Sequence, residues 1–216
     1  VVDVLDAATL TSTHPVAAAL RRTGPVARVR NPDLWDALAT SIIRQVIRAG
    51  QARKLYRAFS HEHGQLVVAP GGPFRLFPTP ETVLSLPDEE FTRLGLAFKA
   101  RPLRAVADAY LRHGLSWVEL DPARLVTAVQ TVPRIGPWTA GATVADVTND
   151  FSFYPFADLA VRTWAARLVP SLVWPQTEPE FAHAWQVSAG TQLSAWTLLT
   201  LAFGVRHANR TGDAAI

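Results

Sequence analysis

The sequence predicts an all-α protein. Three observations lead there: apolar residues recur at helical spacing along most of the chain, strand-like alternation appears nowhere over a useful length, and Pro/Gly clusters separate the periodic segments.

Taken in order, Val16 and Leu20 mark a first short helix, and Leu34, Leu38 and Ile42 a second. Leu55 and Phe59 mark a third; in each case the i, i+4 spacing stacks the side chains on one face. Residues 64–80 break the pattern with Pro70-Gly71-Gly72-Pro73 and Phe77-Pro78-Thr79-Pro80, and read as a packed loop pinned by Phe74 and Phe77. Periodicity resumes at Leu103, Val106 and Tyr110 and again at Leu193, Leu198 and Leu201.

Composition narrows the function. The 216 residues are 49% hydrophobic and 18% charged, enough to bury one or two helical cores and too apolar for disorder. No apolar run reaches the ~18 to 20 residues that span a bilayer, and the opening VVDVLDAATL lacks a signal-peptide pattern. No membrane is therefore expected as a partner, and the expected compartment is the cytoplasm, in the manner of a nucleoid-associated bacterial protein. With no cysteine, disulfides, iron–sulfur clusters and thiolate zinc are excluded. The six His form no ligand-spaced pair, so neither a cofactor nor a catalytic metal is expected. Basic residues number 21 against 18 acidic, and only Lys54 and Lys99 are lysines. The charge is uneven: residues 1–60 hold nine basic and four acidic side chains, whereas 151–216 is balanced. A basic N-terminal part suits phosphate contacts.

The most informative stretch is 122–164. Leu125 and Val129 lie on a short helix that stops at Pro133, and Pro137 follows Gly136 where a second helix begins. The pattern is helix, tight hairpin, helix. The amides of Trp138 and Thr139 open the second helix at the positive end of its dipole, which suits a phosphate, and the Thr139 hydroxyl is a further candidate contact. An ordinary αα-hairpin with a glycine turn has the same pattern. Twenty-two positions beyond Gly136, Tyr154-Pro155-Phe156-Ala157-Asp158 places an Asp where a helix starts. Such an Asp is an N-cap by type, and local sequence alone does not separate capping from chemistry.

The run Val132-Pro133-Arg134-Ile135-Gly136-Pro137-Trp138-Thr139-Ala140, with Pro155 and Asp158 downstream, resembles the helix-hairpin-helix DNA glycosylase superfamily, and within it bacterial 3-methyladenine DNA glycosylase II. Ile42-Ile43-Arg44-Gln45-Val46, Phe77-Pro78-Thr79-Pro80-Glu81 and Leu94-Gly95 to Lys99-Ala100-Arg101 extend the similarity over about residues 14–205. The resemblance implies one glycosylase module over 1–216, built as two helical lobes with an active-site cleft between them. Lobe one is expected at about 34–157, with the hairpin at 122–148, and lobe two at about 1–33 plus 158–216.

By the same resemblance Asp158 is the catalytic carboxylate, stabilising an oxocarbenium-like sugar or activating water. Arg134, Ile135, Gly136, Trp138, Thr139 and Arg44 would bind DNA, Gln45 and Val46 would form the base-flipping wedge, and Trp138, Ala142, Trp196 and Ala202 would line the base pocket. Backbone carbonyls near Gln130, Val132 and Ile135 would hold a structural cation. Bifunctional members carry a lysine at the position of Trp138, so no lyase step is expected. Arg134 and Arg44 replace family glycines, at a cost of about 1–2 kcal/mol wherever positive φ is required. Ala142 and Ala202 replace stacking aromatics, which would enlarge the pocket for bulkier adducts. The implied activity is monofunctional excision of alkylated bases from double-stranded DNA in base excision repair, by a monomer. An N-glycosidase of a free nucleoside or small metabolite, and a non-catalytic helix-hairpin-helix DNA-binding protein, are the alternatives.

Overall fold

The computed structural model describes residues 1–211. In chain order they form β1 (Val2–Leu5), α1 (Pro15–Arg21), β2 (Val26–Val29), α2 (Leu34–Arg44), α3 (Ala49–His63), β3 (Leu66–Ala69) and β4 (Gly72–Arg75). Then follow α4 (Pro80–Ser85), α5 (Asp88–Arg93), α6 (Ala97–Trp117), α7 (Pro122–Val129), α8 (Pro137–Thr148), α9 (Leu159–Leu168), α10 (Glu178–Ala189) and α11 (Leu193–Thr211). The expected helical architecture holds, and no helix of the described residues is long and apolar enough to cross a membrane.

The sequence reading missed two small antiparallel strand pairs, β1–β2 with Val2 opposite Val29 and β3–β4 with Leu66 opposite Arg75. Each strand has four residues, too few to establish alternation, and Leu66-Val67-Val68-Ala69 is continuously apolar. The stretch read as a packed loop therefore contains a strand pair. Phe77 does pin it, buried with its ring 5.3 Å from Tyr56 and 5.4 Å from Phe59, whereas Phe74 is half-exposed.

Two compact units result: residues 33–143, and residues 1–32 joined to 144 onward. The later boundary falls inside α8, not at 157/158 as the sequence suggested. The reason is local pairing. In the second half of α8 the Asp146 carbonyl accepts from Asn31 N at 3.1 Å, its carboxylate pairs with Arg28, and Phe151 N donates to Ser194 Oγ at 2.8 Å. Residues 212–216, the end of the expected second lobe, lie outside the described residues.

In unit 33–143, α2 starts at Asp33, whose carboxylate accepts from Trp35 N at 2.9 Å, and buries Leu34, Trp35, Leu38, Ile42 and Ile43. Helix α6 packs against α2, α4 and α5. Helix α7 begins with Asp121 capping Arg124 N at 3.0 Å and Pro122 in its first turn, as the sequence signals suggest.

The other unit has an aromatic core. Trp174, Phe181, Trp185 and Trp196 sit in successive ring contacts of 5.0–5.6 Å. Helices α9 and α11 touch at Gly204, where an added Cβ would lie 2.4 Å from Trp164 Nε1, so the approach requires glycine.

Candidate functional site

The hairpin and the turn after α2 belong to unit 33–143. After α7, Ile135 N donates to Val132 O at 3.1 Å and closes the hairpin, and the ladder of α8 opens with Ala140 N donating to Gly136 O at 3.1 Å. Arg134 lies at φ +70° with an exposed side chain, so the position where the resemblance has glycine keeps a glycine's conformation. Gly136 itself has no positive φ; the space where its Cβ would stand is open, so another backbone can come close there. Ile135 and Thr139 are 4% and 2% exposed as whole residues, so neither side chain is open to a phosphate. The Val132 carbonyl already accepts Ile135 N–H and keeps one lone pair; with those of Gln130 and Ile135 it is an oxygen donor of the kind a hard cation takes. Among the described residues no three His, Asp or Glu side chains converge as metal ligands.

Arg44 ends α2 in helical conformation and its guanidinium lies 5.8 Å above the half-buried Trp138 ring. Two positions later Val46 has φ +60° and a fully exposed side chain. A β-branched residue in this region is a genuine outlier. The adjacent Gln45 side chain is engaged within the protein. Its Nε2 donates to Thr139 Oγ1 at 2.7 Å and approaches Arg134 O at 3.5 Å, which joins the α2 turn to the hairpin. This occupies the Thr139 hydroxyl that the sequence offered to DNA. Lys99 Nζ donates to Gln45 O at 2.6 Å, while Lys99 is 9% exposed. Burial pushes its ammonium below the ordinary lysine value. Lys99 escaped the sequence reading, because its partner is 54 positions away.

Asp158 belongs to the other unit. It caps α9: Oδ1 accepts from Val161 N at 3.0 Å and Oδ2 from Tyr154 OH at 2.8 Å. Tyr154 is buried and stacked on Phe151 at 5.6 Å, so the phenol is fixed and in turn fixes the carboxylate. Tyr154 also escaped the sequence reading, since its four-residue separation from Asp158 crosses Pro155 and follows no helical rule.

The pocket candidates separate. Trp138 is half-buried and Ala202 half-buried on α11. Trp196 is fully buried, packed on Trp185 at 5.3 Å and His14 at 5.3 Å, and belongs to the core of its unit. Ala142 is 2% exposed, so it offers no open wall and the wider-pocket expectation loses that support.

No family model matches the chain, and no curated protein matches it. Solved structures do. The fold is similar to that of a 3-methyladenine DNA glycosylase from Archaeoglobus fulgidus, at 22% identity and TM-score 0.72, covering 92% of this chain and 66% of that one. It is similar to a Clostridium acetobutylicum 8-oxoguanine glycosylase/lyase in complex with double-stranded DNA, at 18% identity and TM-score 0.72, covering 90% and 67%. A Bacillus halodurans DNA-3-methyladenine glycosidase matches at 18% identity and TM-score 0.62, covering 90% and 87%. The chain thus spans about two thirds of the length of the first two. The likeness is one of fold, shared with these DNA glycosylases.

Proposed function

We propose that this chain is a monofunctional DNA glycosylase that hydrolyses the N-glycosidic bond of alkylated bases in double-stranded DNA, as part of base excision repair. The observation that carries the reading is Val46. An apolar side chain held fully in solvent on strained backbone is unfavourable twice over for a free-standing fold, and it suits a residue that enters a base stack when a nucleotide is flipped out. A hydrolase of free nucleosides has no use for such a wedge.

Asp158 supplies the chemistry. Two donors hold its carboxylate still, so it is pre-oriented to stabilise positive charge developing at C1′ or to take a proton from attacking water. The C1′–N bond breaks with its electron pair going to the base, and water oxygen bonds C1′. An alkylated purine that carries positive charge leaves as a neutral molecule and needs no strong general acid. The solved 3-methyladenine glycosylases of the same fold favour this substrate class. For lyase chemistry an amine is needed. Trp138 occupies the position of the hairpin lysine, and Lys99 is buried and engaged with Gln45 O.

The experiment is incubation of duplex oligonucleotides bearing alkylated, deaminated or oxidised bases, followed by hot alkali to reveal abasic sites and by borohydride trapping for a Schiff base. The expected result is abasic product from the alkylated duplex, no trapped adduct, and a loss of about 100-fold or more in Asp158→Asn. No abasic product, or equal product from the variant, overturns the reading; a trapped adduct overturns its monofunctional part.

A further inference from the structure

The distribution of unpaired cations is uneven. In the unit containing Asp158, every described Arg side chain is engaged: Arg28 with Asp146, Arg30 with Asp3, Arg21, Arg22, Arg162 and Arg206 with backbone carbonyls, and Arg167 over Trp164. In unit 33–143, by contrast, the side chains of Arg48, Arg53, Lys54, Arg57, Arg101 and Arg134 make no hydrogen bond, ion pair or ring contact among the described residues. Four of these fall in one stretch of chain. Arg48 is the N-cap of α3 and offers it no side-chain cap, and Arg53, Lys54 and Arg57 follow along the helix.

Positions 53, 54 and 57 fall within about 100° of helix circumference, opposite the buried Ala52 and Phe59, and all three are exposed. The acidic Glu62 on the same helix is bound by Arg93 at 3.2 Å, and Asp36 accepts from Tyr56 OH at 2.6 Å. Neither therefore neutralises the stripe. The exposed arginines of α6 and α7 differ: Arg112 pairs with Asp108, and Arg124 with Asp121 at 3.2 Å. An unneutralised row of like charges is self-repelling until a polyanion covers it.

We propose that the exposed face of α3 formed by Arg53, Lys54 and Arg57 is a duplex-binding surface that grips the phosphate backbone beside the lesion. The inference rests on the glycosylase reading for its partner and extends it beyond the hairpin and the wedge. The stripe lies on the first helix after the Val46 turn. From residue 53 to 57 the helix advances about 6 Å, about two 3.4 Å steps of rise along one strand. Contacts of this kind carry no base information; they add affinity and fix register.

The test is binding of an undamaged fluorescent duplex across a range of salt concentrations. Each phosphate contact contributes about 0.9 to the slope of log affinity against log salt. The triple variant Arg53→Gln/Lys54→Gln/Arg57→Gln is expected to reduce that slope by about 2 to 3, and to weaken binding on the order of tenfold or more at moderate salt. The charge-keeping Arg53→Lys/Arg57→Lys is expected to keep the wild-type slope, and Arg112→Gln, on a paired arginine, to leave it unchanged. If the triple variant folds poorly, each single Gln variant is expected to lower the slope by about 0.9. An unchanged slope in the triple and single variants, or an equal fall in Arg112→Gln, overturns the proposal. Excision is scored separately on alkylated duplex. Wild-type excision with an unaltered variant slope removes only this surface, whereas duplex binding that depends on the stripe without any excision leaves the surface standing and removes the catalytic reading.

Discussion

Two residues in the turn after α2 have opposite relations to stability. Val46 at φ +60° costs the fold about 1–2 kcal/mol relative to ordinary backbone, and its exposed side chain returns nothing by burial. Glycine takes the same φ freely but loses more chain freedom on folding, by up to about 1 kcal/mol. Val46→Gly is therefore expected to leave stability unchanged or raise it by about 1 kcal/mol in urea unfolding, while slowing excision from duplex about tenfold or more and sparing single-stranded substrate. Equal loss on both substrates would sink the wedge role. Lys99 acts in the other direction. Its ammonium is disfavoured by burial and its folded value lies below the ordinary 10.5, so between those two values the unfolded chain holds the additional proton. Stability from this group thus rises with pH across that window, and below it the buried ammonium is a cost. Lys99→Met is expected to remove that rise in a pH series of denaturant midpoints, and to slow duplex excision because Gln45 O loses its donor; a rise of the same size in the variant would show that another group causes it. The helix start at Asp158 could be read from the sequence because a short contiguous motif carries it. Lys99 and Tyr154 could not, since their roles come from pairing that only the folded chain creates.

Helix ends account for most of what was legible at the next scale. Asp121-Pro122 and Asp158 each start a helix by the rules of capping, and Gly136-Pro137 marks the start of α8. The strand pairs were not legible because a four-residue strand has too little pattern of its own and depends on its partner. In the hairpin, sequence indicated Arg134 as a departure from glycine, and the structure shows the conformation retained there with the strain accepted. At Arg44 no positive φ is required: the helix continues through it, and the turn takes its positive φ two positions later. Capping and chemistry at α9 are separable by choice of substitution. Asn caps a helix as well as Asp, whereas Ala forfeits about 1 kcal/mol. Asp158→Asn is therefore expected to keep the wild-type midpoint while losing excision, and Asp158→Ala to lose both. A midpoint drop in Asp158→Asn as large as in Asp158→Ala would mean that the charge, through Tyr154 and the helix dipole, is what stabilises α9.

At the scale of the whole molecule, the chain leaves one unit, builds the other from the continuous segment 33–143, and returns to complete the first. The two distant segments of that first unit are held by specific bonds. Arg28 binds Asp146 and Asn149, Arg206 donates to Pro25 O at 2.6 Å and to Thr23 O, and Gln192 accepts from Thr11 N at 3.0 Å. No sequence pattern announces these pairings, which is why the boundary drawn from motifs fell at Asp158 and not within α8. They also make the stability of residues 1–32 and of 144 onward a shared property. Arg28 and Asp146 side chains are only 24% and 16% exposed, so Arg28→Met leaves a largely desolvated carboxylate without its partner, at a cost of about 2–4 kcal/mol. Native-state hydrogen exchange is expected to show amides of both segments losing protection together, by a similar free energy, while amides of 33–143 keep theirs. Loss confined to β1–β2 would instead mean that the N-terminal segment frays on its own and that the second segment is stable without it.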